Sequence, residues 1–302
     1  MGADAPMVVR SPALVDAGDD RAGDGAEGLA LGLSGPPMAY VASLPAPALR
    51  RHIARYWVLR GDFEHEQTIA LLPDGGVHVV VHRGLPVRSE NYGDPFDGHG
   101  PHLVGAMLRT DRQVLGGEQH IVGVTFRPGA FACFHRWDTL ACAANRVQPF
   151  DRGFPLERVL RATQIAEVAG WLDAFYLERF APSRASLGTI VEDIQRRGGQ
   201  VRIDELMRRH AITGRSLERH FSQQVGIAPK PFIDLTRFAH AVAAVVRDRG
   251  RRTLTELALD CGYCDGAHLT NAFKRFTGQP PSRFILSDLS KSTSPLPDSV
   301  GA

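Results

Sequence analysis

Apolar and polar positions alternate differently in successive parts of the chain. Between residues 40 and 150, short apolar runs are separated by turn residues. Runs at 53–59, 68–72, 77–82, 102–106 and 121–126 read as strands. Turn signals stand at Pro73-Asp74-Gly75-Gly76, Arg83-Gly84, Asp97-Gly98, Gly116-Gly117 and Pro128-Gly129. Residues 49–56 begin with a helical pattern, and 131–137 predicts a helix after the last strand. From 156 to 180 the period lengthens. Leu156, Val159, Leu160, Ile165, Val168, Leu172, Phe175 and Tyr176 predict two helical segments, which Pro182-Ser183 ends. A further helix is expected over 186–197, closed by Gly198-Gly199. Residues 1–37 show no periodicity and are rich in Gly, Ala, Asp and Pro, so a disordered tail is expected there and again over 289–302. The domain expectation is β-rich over 38–150, a helical connector over 151–182 and an all-helical unit over 183–288.

Residues 200–286 contain an internal repeat. Asp204-Glu205-Leu206 matches Thr255-Glu256-Leu257 at an offset of 51. Leu217-Glu218-Arg219-His220-Phe221 matches Leu269-Thr270-Asn271-Ala272-Phe273 at 52, as do Val225-Gly226 with Thr277-Gly278 and Pro229 with Pro281. Each copy reads helix, tight turn, helix: 203–210 with 214–223, then 254–260 with 265–276. Thr213 is a good N-cap, and Thr253 with Glu256 forms a capping box. A long helix over 231–248 joins the copies, its stripe Phe232, Leu235, Phe238, Val242 and Val245 suited to packing on both. This is a tandem helix-turn-helix pattern. Such a motif lays its second helix in the major groove of DNA, where the N-terminal half reads base edges.

The stretch 186–286 resembles the DNA-binding domain of the AraC/XylS family of bacterial transcription regulators. The first copy carries Leu206, Thr213-Gly214-Arg215-Ser216-Leu217-Glu218-Arg219-His220-Phe221, Val225-Gly226-Ile227-Ala228-Pro229 and Arg237-Phe238. The second carries Leu257-Ala258-Leu259-Asp260-Cys261-Gly262-Tyr263, Asp265, His268-Leu269, Phe273, Phe276, Gly278 and Pro280-Pro281. The resemblance implies seven helices in two subdomains. It places Arg215, Glu218 and Arg219 on the reading face of the first recognition helix. On the second it places Gly266, Ala267 and Asn271, with His268 and Thr270 beside them. Lys274, Arg275 and Arg283 fall among phosphate contacts. The first helix is expected to supply most of the base readout, because Gly266 and Ala267 offer no hydrogen-bonding side chain. Two departures from the family pattern stand out: Ala211-Ile212 where the turn usually holds glycine, and Cys264 where a hydroxyl N-cap is usual.

Charge sharpens this picture. The net charge of +2 conceals −4 over 1–37, zero over 38–182 and +7 over 183–291, a basic end suited to a polyanion. No apolar run approaches the roughly 18 residues a membrane span needs, and four cysteines suit a reducing cytoplasm. The fold class expected is α+β: a sensor-like β-rich domain followed by an all-α tandem helix-turn-helix domain. The function expected is sequence-specific transcription regulation, activating or repressing, in a cytoplasmic protein without enzymatic activity.

The β-rich region resembles a domain found ahead of such modules through Tyr56-Trp57, Leu72-Pro73-Asp74-Gly75 and Phe126-Arg127-Pro128-Gly129. Trp57 and Arg127 are its candidate effector-binding residues. The expected partners are promoter DNA and a small effector, with RNA polymerase and a second copy (through 156–180) as further candidates. No cofactor is expected. His78 and His82 share a strand face as metal ligands do, but without nearby carboxylates they read as structural. Asp62, Glu64, His65 and Glu66 read as a solvated loop. Cys261 and Cys264 have redox or zinc spacing, yet Cys261 falls on a core position of the repeat. The alternative, a DNA-repair alkyltransferase-type regulator with a catalytic cysteine and the same motif behind a four-cysteine zinc site, needs two close cysteine pairs upstream. Only Cys133 and Cys142 stand there, nine apart.

Overall fold

The computed structural model describes residues 7–9, 39–90, 100–137, 139–150, 153–181, 187–248 and 250–283. The Asp97-Gly98 turn, the Pro182-Ser183 break and the 289–302 tail lie outside these residues, as does most of 1–37. In chain order the strands are β1 (Met7–Val9), β2 (Ala39–Ser43), β3 (Ile53–Leu71), β4 (Val77–Gly84), β5 (Arg88–Ser89), β6 (Gly100–Val104), β7 (Asp111–Phe126) and β8 (Val147–Pro149). They form one sheet in the order β1-β3-β7-β4-β6-β8, with β2 also on β3 and β5 on β7. All described pairings are antiparallel except β1 with β3.

Four expectations are corrected here. Asp62, Glu64, His65 and Glu66 are not in a loop: they lie within β3, which runs on through a register shift between Phe63 and Gln67. Gly116-Gly117 does not end a strand; it sits at the facing bend of β7, with Gly117 at φ 60°. Two long strands thus bend together, and the sheet wraps around Leu59, Phe63, Ile69, Val80, Val104, Leu115 and Ile121. Met7–Val9, within the segment expected to be a disordered tail, pairs with the open edge of β3 at Ile69–Leu71. The helical starts expected at 49–56 and 131–137 shrink to single 3-10 turns, Pro47–Leu49 and Phe131–Cys133.

Strand alternation sorts the residues into two faces. Tyr56, Val58, Val77, Val79, Val81, Leu103, Val122, Val124 and Phe126 face a second core, covered by α1 (Leu156–Arg161) and α2 (Ile165–Arg179). The inward stripe of α2, Val168, Leu172, Phe175 and Tyr176, is buried there. The connector helices therefore belong to the wall of the β-domain, with Trp171 and Leu177 left exposed on their outer side.

The helical unit follows the repeat. It comprises α3 (Gly188–Arg196), α4 (Ile203–Arg209), α5 (Gly214–Gln224), α6 (Pro229–Asp248), α7 (Leu254–Asp260) and α8 (Gly266–Thr277). The stripe of α6 is buried between the two copies, Phe232 against Phe221 of α5 and Phe238 against Phe273 and Phe276 of α8. Leu72 and Ala106 of the β-domain join this same core.

Candidate nucleic-acid interface

Capping sets the start of each recognition helix. Thr213 accepts from Ser216 N at 3.3 Å and opens α5. In the second copy the cap is Asp265, whose carboxylate accepts from His268 N at 2.7 Å. The reading of Cys264 as the cap position is thereby corrected, because the cap stands one residue later. The turns differ as the sequence departures imply. Gly262 takes φ 75° in the second copy, and Ala211 takes φ 48° at the corresponding place in the first. A Cβ in this left-handed region meets its own backbone, so the first turn carries strain that the second avoids.

On α5, Leu217 and Phe221 point to the core, while Arg215, Glu218 and Arg219 are exposed on one outward face. Among the described residues none of these three forms an ion pair. On α8, Leu269, Phe273 and Phe276 are buried, and Ala267, His268, Asn271, Lys274 and Arg275 are exposed. Two expected reading positions are otherwise engaged. Thr270 donates its hydroxyl to the Gly266 carbonyl at 2.8 Å. Gly266 itself lies against Thr255 of α7, not outward. The His268 ring stands edge-on to Tyr263, 5.1 Å away. Arg275 lies over Phe276 and reaches Asp234 at 3.6 Å, whereas Lys274 makes no ion pair among the described residues. Arg283 is exposed.

The scaffold behind these faces is tied by charge. Buried Asp193 of α3 meets Arg209 and His210 at the end of α4. Arg197 and Arg209 share Glu205, whose carboxyl their hydrogen bonds hold below its ordinary pKa. Asp248 holds Arg252 at 2.8 Å, and the same bond lowers its own pKa. An open depression of about 480 Å³ at the end of α6 is lined by Ala244, Arg247, Asp248, Arg251 and Arg252. Arg251 there caps the carbonyls of Arg247 and Asp248.

The β-domain grips this unit at the C-terminal ends of both recognition helices. Thr110 N and Oγ1 donate to the Phe276 carbonyl at 2.8 and 3.1 Å. Thr139 Oγ1 donates to the Ser222 carbonyl at 3.1 Å. Between these clamps, the turn after Leu72 meets α6. A Cβ on Gly75 would stand 2.6 Å from the Phe232 ring. The N-terminal halves of α5 and α8 stay clear of these contacts.

Inside the β-domain, Trp57 lies flat across Gly123, where a Cβ would fall about 2.0 Å from its indole. Its Nε1 donates to Thr125 Oγ1 at 3.2 Å. The same Oγ1 meets His78 Nδ1 at 3.2 Å, and His78 Nε2 meets the Asp74 carboxylate at 3.2 Å. The expectation that His78 has no carboxylate nearby is therefore corrected. Asp74 stands four residues upstream in the turn, a placement that strand spacing alone does not show. His82 shares the interior face and binds Gln119 Oε1 at 2.6 Å, and burial lowers its pKa. Arg127 does not join Trp57: its Nε donates to the Arg50 carbonyl at 2.8 Å beyond the end of β7. Among the described residues no three His, Cys, Asp or Glu side chains gather as metal ligands do. Cys133 and Cys261 are buried, and Cys142 and Cys264 are exposed.

Two helix-turn-helix units on one chain, reading faces exposed and a sensor-like sheet behind them, define a DNA-binding transcription regulator. Residues 206–286 match a family described as a helix-turn-helix domain, and residues 42–147 match a domain of unknown function, DUF6597. Over residues 206–286 the repeat, its caps and its joining helix bear out the resemblance to the DNA-binding domain of the AraC/XylS family. No curated protein matches the chain. Solved structures that align with it include ToxT from Vibrio cholerae at 1.65 Å (9% identity, 77% of this chain, 97% of that one, TM-score 0.44). ToxT from V. cholerae O395 aligns at 10% identity over 77% and 96%, with TM-score 0.41. Wild-type ToxT from strain SCE256 bound to an unsaturated fatty acid aligns at 10% over 77% and 95%, with TM-score 0.40. No helix among the described residues is long and apolar enough to cross a membrane.

Proposed function

We propose that α5 and α8 enter successive major grooves on one face of promoter DNA, and that a small effector bound by the β-domain controls this engagement. The observation that carries the reading is the pair of exposed recognition helices joined by α6. At 20 residues α6 is about 30 Å long, close to the roughly 34 Å repeat of the groove. Arg215 and Arg219 are the proposed guanine readers, Glu218 accepts from a cytosine amine, and Asn271 reads adenine. Ala267 touches a thymine methyl, and Lys274 with Arg283 holds phosphates.

The route of control is proposed to start at Trp57 and to pass through Thr125 and His78 to Asp74. The Asp74 turn bears on Phe232 of the helix that sets the spacing of the two readers. An effector that displaces Trp57 therefore acts on both helices at once. The exposed outer side of α2, with Trp171 and Leu177, is the proposed surface for a second copy. No catalytic side chain enters this reading.

Selection of the full-length protein on a random duplex pool, repeated across a salt series, tests it. An enriched site with two elements about one helical turn apart is expected. Enrichment of a single short element would mean that only one helix reads DNA. Salt-dependent affinity without any enrichment would overturn the specific reading.

A further inference from the structure

We propose that Arg60, His120 and Arg83 form a binding site for a small oxyanion, a carboxylate or phosphate group, on the helix-covered face of the β-domain. The three residues stand in one cross-strand row: His120 of β7 is in register with Arg60 of β3 on one side and Arg83 of β4 on the other. A proton on His120 would stand directly between two like charges, which is destabilising on a sheet, unless an anion joined them. The chain supplies only part of one. Arg60 gives its two terminal nitrogens to the carbonyls that end α1, Ala162 at 2.6 Å and Thr163 at 2.9 Å. Its Nε and the Nε2 of His120 remain buried without a hydrogen-bond partner. The guanidinium of Arg83 is exposed and makes no ion pair among the described residues.

The surrounding charges do not fill the role. Asp62 and Glu118 stand opposite each other two residues along the same face, and both are exposed to solvent. On α1, Arg161 is paired with Glu157, and Arg158 lies over Trp171. His82 acts on His120 through the sheet. Burial first, then Arg60, Arg83 and His82, push the His120 pKa down to about 4. No carboxylate pulls it back. The anchoring groups are one exposed planar fork, suited to two oxygens of one anion, and two buried nitrogens of the neighbouring strands in the same row.

An anion bound here restores a favourable partner for the imidazolium, so His120 gains a proton on binding. Affinity then rises as pH falls through the range between the unbound and bound pKa values. The test is calorimetric titration of the full-length protein with sodium sulfate, whose charge is constant across the range, at fixed ionic strength. Sodium acetate and inorganic phosphate serve as separate arms. Saturable sulfate binding is expected to strengthen by about tenfold or more between about pH 8 and about pH 5. Arg83→Gln is expected to weaken it by about tenfold, and His120→Gln to leave a weaker affinity that no longer varies with pH. Stronger binding of acetate than of phosphate assigns a carboxylate ligand, and the reverse assigns a phosphate. Absence of saturable binding, a pH-independent affinity in the unaltered protein, or an unchanged affinity in Arg83→Gln would overturn the proposal. So would an equal loss of duplex-DNA affinity in Arg83→Gln, which would make the anion a DNA phosphate.

Discussion

Single side chains on the recognition helices separate into those free to read and those already engaged. Arg215 is exposed and unpaired among the described residues, and it occupies the first turn of α5, where base edges are reached. Lys274 is exposed in the last turn of α8 and suits a phosphate. Arg215→Ala is therefore expected to cost about 1–3 kcal/mol on the preferred site and to relax the preference at one base position. Lys274→Ala is expected to weaken all sequences alike and to reduce the salt slope by about one. Competition binding with single-base variants of the selected site distinguishes the two. Uniform losses for Arg215→Ala would move it to the phosphate contacts. The engagement of Thr270 with its own helix was not legible from residue type, because a threonine at helical spacing looks the same whether its hydroxyl points out or back.

At the scale of elements, the two copies of the repeat differ in how their turns are closed. Ala211 holds a positive φ that Gly262 adopts freely. Ala211→Gly is expected to stabilise the first unit by about 0.5–1 kcal/mol, and Gly262→Ala to destabilise the second by about 1–2 kcal/mol. Denaturant unfolding of each variant measures both signs; a loss from Ala211→Gly would show that the turn is not strained. The histidines in and beside the sheet set a second expectation. Burial lowers the pKa of His52, His82 and His120, so the unfolded chain binds more protons than the folded one below their ordinary value of 6.5. Their contribution to stability is full above about pH 6.5 and is lost as pH falls toward the folded-state values. The urea midpoint is expected to fall between about pH 6.5 and about pH 4, and His120→Gln should flatten that slope.

For the whole molecule, the decisive feature is the seam. Clamps at Ser222 and Phe276 hold the back of both recognition helices, and the Asp74 turn presses on α6 between them. A methyl group added at Gly75 must push the Phe232 ring aside. Gly75→Ala is expected to lower stability by about 1–3 kcal/mol, the usual cost of overpacking. Phe232→Leu in the same chain should recover part of that loss, which a double-mutant cycle on thermal unfolding would measure. Additive losses would mean that the two residues do not press on each other. The cycle also tests the first link of the proposed route of control, since an effector signal arriving at Asp74 has to cross this contact.

The helical half was nearly complete in the amino-acid order. Its period, caps and repeat are local properties, and a helix satisfies its hydrogen bonds within itself, so 203–283 read correctly to within a residue or two. The strands were found where they are apolar on both faces, at 77–82 and 121–126. They were missed where exposed acids occupy one face, at Asp62–Glu66, because pairing with β7 and not composition keeps that stretch extended. Helical spacing separated the buried stripes of α5 and α8 from their exposed positions, while the choice of reading residues came from the family resemblance. The His78–Asp74 pair, the cross-strand row of Arg60, His120 and Arg83, and the grip of Thr110 and Thr139 on the recognition helices followed from neither. Each joins residues whose proximity is set by strand register or by packing between units, and that information resides in no single segment of the chain.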